Sequence, residues 1–460
     1  MSENFKELGG ASTKDPTSKQ RWRASRFLTK LTSEEELLKI RALEEKKRSK
    51  KGSKHVVEYF HFVEDSYSHL SAQVLKKLPE RYDVEILCHL VSGPPGDSAP
   101  ELDMLMKLSR IDAHLVAPEY GLEFPEHPGA PAESLCRFAE EILAAQGHRT
   151  FIDCAQDIGH ALWAGNEGTL RDLARKYGRV CSNDVKDRIA SGNARRSDLK
   201  HYLGAMFFYA GEWYWGVDRL YHLEARLAEL GLDKRPNKPL LISRPEIEWG
   251  PLKDAGTLTL EFFPTMRSPY VAIIYDRTLR LAKETGVRLV LRPVLPMVMR
   301  GLKTTHDKGR YIFWDASREA RAAAVPFGNI FDSVGKPVRD CHSLFDWACE
   351  LGRERELFGS FLSCVFARRI NTNTQKGMRQ VVEMAGLDWK EAKVRIGNLG
   401  WEDLLETNRK ALYEAGIWGT PAFRLLNKDG EELVSLWGQD RLWLLSRKIQ
   451  RYLESGKNWL

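Results

Sequence analysis

Arg267-Ser268-Pro269-Tyr270 places a hydroxyl directly before a proline that opens an apolar, helix-spaced run. Serine is a favoured N-cap and proline a favoured first helical residue, so capping alone can account for the pair. The same hydroxyl would lie at the positive end of a helix dipole, where a thiolate is favoured over a thiol. Further on, Trp437-Gly438-Gln439-Asp440-Arg441-Leu442 leads into a second helical run. Backbone N–H groups at such a start suit a carboxylate, and Asp440 suits an ammonium. Between the two lies Thr420-Pro421, followed by apolar runs on either side of Asn427-Lys428-Asp429-Gly430. Asp-Gly between apolar runs is a strong hairpin signal. Metal chemistry is disfavoured: the seven cysteines (88, 136, 154, 181, 341, 349, 364) form no Cys-x-x-Cys pair, and zinc-ligand spacings are absent.

The elements that must hold these residues occur twice. In the second half, a strand over 257–263, a helix over 270–285 and a strand over 287–291 form a βαβ unit. Helices then fill about 316–415, before the hairpin over 424–436 and a last helix. In the first half the same order appears as strands 56–62 and 82–87 around a helix over 66–78. A helical region over 101–199 and a hairpin around Trp215-Gly216-Val217-Asp218-Arg219-Leu220 complete it. Glu58-Tyr59-Phe60 aligns with Glu261-Phe262-Phe263 at an offset of 203, and Trp215-Gly216 with Trp437-Gly438 at 222. A period near 200 residues means duplicated domains, with the second copy longer in its helical part.

These boundaries divide 460 residues into a basic tail (1–54), a first domain (55–233), a Pro-rich linker (234–256) and a second domain (257–460). Residues 1–55 hold 15 Lys/Arg and 8 Asp/Glu, which accounts for the whole net charge of +7. The folded part is therefore balanced, and no basic face with interleaved aromatics stands out. Residues 1–31 read as loosely attached. Ser33 and Glu36 form a capping box for a short helix running into the Lys46–Lys54 cluster, read as a solvated linker. No apolar run is long enough to span a bilayer and no secretory signal is evident, so a cytoplasmic protein with reduced thiols is expected. Neither nucleic acid nor a membrane is expected as a partner.

The succession βαβ, helical insertion, then a Pro-initiated hairpin and helix is the thioredoxin plan. With Ser268-Pro269, Gly416-x-x-Gly419-Thr420-Pro421 and the Gln439-Asp440-Arg441 segment, it resembles the 2-hydroxychromene-2-carboxylate isomerase and kappa-class glutathione transferase family. That resemblance implies an α/β fold of two tandem thioredoxin-like, DsbA-like domains, each with a helical insertion between βαβ and ββα halves. It also implies glutathione as cofactor, a small electrophilic, aromatic substrate, and Ser268 as the hydrogen-bond donor to the glutathione sulfur. Thr420 and a cis Pro421 would pair with the glutathione backbone. Gln439, Asp440 and Arg441 would hold its γ-glutamyl end, with Lys308 and Asp315 placed near it. Family members often dimerise, so the two copies could form an intrachain pseudo-dimer in a monomeric chain.

The first copy departs from the pattern, with Asp65 and Ser66 at the Ser268-Pro269 positions and Ala205-Met206 at Thr420-Pro421. A carboxylate facing a thiolate would raise its pKa, so this copy reads as retained for packing. Two other readings remain: a non-catalytic thioredoxin-fold binding protein, and a DsbA-family oxidoreductase-like protein lacking the redox cysteines.

Overall fold

The computed structural model describes residues 15–455 except 97, 127, 128 and 303; the first fourteen residues of the tail lie outside the described residues. The chain divides into two compact units, one of residues 38–245 and one of residues 1–37 with 246–460.

The tail gives the first departure from expectation. Residues Ser18–Thr32 form helix α1, opened by a capping box in which Thr17 and Gln20 bond each other's backbone. Its inward row, Arg21, Ser25, Thr29 and Thr32, recurs every three or four residues but is polar. Such a row carries no aliphatic signal, yet it satisfies backbone that would otherwise be buried without partners. Arg21 donates to the carbonyls of Asp332 (3.0 Å) and Val334 (2.6 Å), and Ser25 Oγ accepts from Asp332 N (2.9 Å). Thr29 Oγ1 accepts from Ile330 N (3.1 Å), and Thr32 Oγ1 is 3.2 Å from the carbonyl of Gly328. Residues Glu34–Lys51 follow as a helix, so much of the expected solvated linker is helical; Glu36 N donates to Ser33 Oγ (3.2 Å).

The unit of residues 38–245 holds strands β1 (Val56–His61), β2 (Glu85–Leu90), β3 (Met206–Tyr209) and β4 (Glu212–Trp215), in the order β2-β1-β3-β4. β1 and β2 run parallel, and the other two pairings are antiparallel. Helix α2 (Ser66–Leu75) joins β1 to β2, helices fill Leu102 to Asp198, and α3 (Leu220–Glu229) follows the hairpin. Ala210 and Gly211 both take positive φ in that two-residue turn, the geometry that matches strand twist.

The other unit holds β5 (Thr259–Phe263), β6 (Arg288–Leu291), β7 (Ala422–Leu426) and β8 (Glu432–Trp437), ordered β6-β5-β7-β8 with the same senses of pairing. Helix α4 (Pro269–Thr285) joins β5 to β6, α5 (His306–Ala322) opens the helical insertion, and α6 (Leu442–Ser455) closes the unit. Nearly every residue of β1 and β5 is buried, as expected of strands covered on both faces. Each carries one buried glutamate hydrogen-bonded by two basic side chains: Glu58 by His89 and Arg195, Glu261 by Arg292 and Arg424. These hydrogen bonds lower the cost of burying each carboxylate, and the bonds from Arg195 and His89 hold Glu58 down to about 2 despite its burial.

The Pro-rich segment is extended but pinned. Arg81 donates to the carbonyls of Lys238 (2.8 Å) and Pro239 (3.1 Å), and Glu224 accepts from the amides of Leu241 and Ile242. On the 246–460 side, the Gln450 side chain bonds the backbone of Trp249 and Leu252.

Candidate functional site

Ser268 is the N-cap of α4, with Pro269 in the first turn. Its Oγ accepts from Val271 N at 3.3 Å, a long bond, and the residue is half-buried. That contact uses an oxygen lone pair, so it does not consume the hydroxyl proton. Upstream, Arg267 is held by Asp332 through bonds of 2.9 and 3.2 Å, and Asp332 is the residue whose backbone α1 grips. Downstream, Tyr270 donates to Asp315 Oδ2 (2.9 Å), and Arg318 donates to Asp315 Oδ1 (2.7 Å). Asp315 is 1% exposed, so it holds Tyr270 in the first turn of α4 rather than facing a ligand.

Thr420-Pro421 is a cis peptide bond. Phe263, the last residue of β5, pairs with Ala422, the first of β7. The loop carrying Ser268 and the segment carrying Thr420-Pro421 therefore meet the sheet at one end. Gly438 N donates to the carbonyl of Pro421 (2.9 Å), which fastens β8 to the same place. Gly419 is required there, because a Cβ would sit 2.6 Å from the Trp437 indole.

Lys308 lies in the first turn of α5, 8% exposed, with its ammonium 5.5 Å from the centre of the Trp418 ring. Burial pushes its pKa down to about 8. Trp418 packs against Trp437 at 5.1 Å, and Arg300 donates to the Trp418 carbonyl (2.9 Å). Neither Trp418 nor Arg300 is among the expected site residues; the Gly-x-x-Gly spacing brackets Trp418, whereas nothing local marks Arg300.

The three residues after Gly438 are turned largely into structure. Gln439 donates to the buried carboxylate of Glu319 (3.0 Å), and the 3%-exposed Arg441 donates to the carbonyl of Asp440 (3.0 Å). Asp440 is the half-buried member of the three. The expected set thus separates into Ser268, Thr420 and Asp440, which reach the surface in part, and Asp315, Gln439 and Arg441, which brace the segments around them.

In the 38–245 unit the helix start that follows β1 is closed on itself. Asp65 caps α2 by accepting from the amides of Tyr67 (3.2 Å) and Ser68 (3.1 Å) and from Ser68 Oγ (2.9 Å). Ser68 Oγ in turn accepts from the amides of Phe62 and Ala205. Desolvation raises Asp65 to about 6 against these bonds. Met206 pairs with Phe60 and Ala422 with Phe263, so Ala205 stands where Pro421 does, one residue from the expected alignment of Ala205-Met206 with Thr420-Pro421.

Residues 259–450 match the family model described as the DSBA-like thioredoxin domain. Solved structures similar to the chain include a 2-hydroxychromene-2-carboxylate isomerase (18% identity, 43% of this chain and 97% of that one, TM-score 0.36). Another is a probable DsbA oxidoreductase from Streptomyces coelicolor (16% identity, 44% and 92% covered, TM-score 0.35). No curated protein matches in sequence. Within this DSBA-like domain the cysteines, 341, 349 and 364, are all unpaired and lie in the helical insertion, and α4 starts with serine where an oxidoreductase would need a thiol. Among the described residues no group of His, Cys, Asp and Glu is arranged to hold a metal, and no helix is long and apolar enough to cross a membrane.

Proposed function

We propose that the DSBA-like domain is a glutathione-dependent isomerase or transferase acting on an electrophilic, aromatic small molecule. The observation that carries this reading is Ser268: a capping hydroxyl whose proton the cap bond does not consume, at the start of α4, in a domain of this family. The residues fit the cofactor's charges. A buried ammonium at Lys308 suits a carboxylate, and partly exposed Asp440 suits an ammonium. Glutathione, when bound, would supply the thiolate that adds reversibly to a conjugated carbonyl. Ser268 donates a hydrogen bond to the sulfur and, with the helix dipole, keeps it ionised. The Thr420 backbone orients the peptide, and Tyr270, locked by Asp315, holds the first turn of α4 in place.

The 38–245 unit is proposed to be a second, degenerate copy of the same fold. Supporting this, the sheets share strand order and sense. The bond Tyr67 to Asp112 repeats as Tyr270 to Asp315, both pairs at an offset of 203. Gly216 N to the Ala205 carbonyl repeats as Gly438 N to the Pro421 carbonyl. Arg219 bonds the Asp218 carbonyl as Arg441 bonds that of Asp440.

Calorimetric titration of the full chain with glutathione tests the proposal. Binding is expected in the wild type. In Ser268→Ala the ultraviolet absorbance of the bound thiolate should be lost near neutral pH while the complex still forms. Absence of binding at millimolar glutathione would favour a non-catalytic thioredoxin-fold protein.

A further inference from the structure

Docking of α1 through Arg21, Ser25, Thr29 and Thr32 fixes what its other side presents. Lys19, Trp22, Arg23, Arg26 and Lys30 recur at helical spacing along one exposed stripe. Trp22 is 56% exposed, and Phe27, beside the stripe, is 48% exposed. The helix contains no acidic residue. The stripe runs for about 16 Å at the α-helical rise. Lys30 lies 3.6 Å from Glu36, so the centre of positive charge falls on Lys19, Arg23 and Arg26.

Cations interleaved with aromatics on a flat helix side fit an anionic, partly apolar surface. The Arg26 guanidinium already covers one face of the Trp22 ring at 4.9 Å, so that face is not open to stacking on a base. Trp22 and Phe27, five residues apart, point to different sides of the cationic row. Aromatic rings beside a cationic row suit a protein surface resting on a bilayer, with the rings at headgroup depth and the cations against anionic lipid. From this we propose that the docked α1 is a peripheral contact surface for anionic membranes, independent of the glutathione reading.

The experiment is co-sedimentation of the full chain with phosphatidylcholine vesicles, with and without phosphatidylserine. Binding is expected only to the anionic vesicles and should weaken with salt. Each basic side chain near such a surface is worth about 1 kcal/mol, so R23A/R26A should lower affinity about 30-fold. W22S/F27S should also weaken binding while leaving its salt dependence in place. Trp22, Arg23 and Arg26 are exposed, and an unchanged melting midpoint confirms that each variant folds. Failure to sediment with anionic vesicles, equal sedimentation with neutral ones, or wild-type affinity in R23A/R26A overturns the proposal. So does a gel shift of a single-stranded oligonucleotide by a chain that ignores vesicles.

Discussion

Replacing Arg21 with alanine should undock α1 from the segment beside Ser268. Arg21 is 3% exposed and its guanidinium donates to two backbone carbonyls and to Asp15. Hydrogen bonds from a charged donor are worth about 1.5–3 kcal/mol each, so losing the two carbonyl contacts should weaken docking by roughly 3–6 kcal/mol. That corresponds to an increase of at least about a hundredfold in the local opening constant. Hydrogen exchange reads it residue by residue. The amides of Ile330 and Asp332 are protected by Thr29 and Ser25 of α1. Those of Gly328 and Phe331, in the same segment, are bonded to the carbonyls of Phe366 and Val365. In Arg21→Ala, Ile330 and Asp332 should exchange faster while Gly328 and Phe331 keep their protection. If all four accelerate together, or none does, α1 is not a separately docked strap and the reasoning fails.

Three other perturbations test particular contacts. Gly419→Ala drives a Cβ into Trp437 and should cost about 1–3 kcal/mol in denaturant unfolding; an unchanged midpoint would mean the indole yields freely. His342 is fully buried, neither ring nitrogen has a hydrogen-bond partner, and burial lowers its pKa to about 3. The unfolded chain therefore takes up the proton first, and stability is lost as the pH falls below about 6.5, by roughly 1.4 kcal/mol per unit. His342→Leu should lose about 2 kcal/mol less than wild type on acidification to about pH 5, read from urea midpoints; an identical loss refutes the assignment. If Lys308 pairs a carboxylate, affinity for S-methylglutathione, which has no thiol to ionise, should fall as the pH rises through about 8. Lys308→Met should bind weakly at every pH, and a persistent fall in that variant would place the titrating group elsewhere.

What sequence reading reached depends on the range of the interaction. Ser268-Pro269, the Asp429-Gly430 turn and the helix after Gly438 are local signals and took their expected forms. β2 begins at Glu85, three residues later than the pattern suggested. The ladder with β1, from Val56 opposite Glu85 to His61 opposite Leu90, sets its limits. Asp315 and Gln439 illustrate the other limit. Their types suit a polar ligand, but whether a carboxylate or amide meets solvent or an internal partner depends on residues far along the chain. Here Tyr270 claims Asp315 and Glu319 claims Gln439.

The chain's own pattern of residues determined the α/β plan, the place of Ser268 at a helix start and the absence of paired cysteines there. These follow from hydrophobic period, capping chemistry and composition, all contained in a few consecutive turns. Tertiary structure alone decided that the basic tail contains a docked helix. α1 binds through a polar row to backbone some three hundred residues away. A hydrogen bond of that kind leaves no period in the sequence, because its partner is a main-chain group that every residue carries.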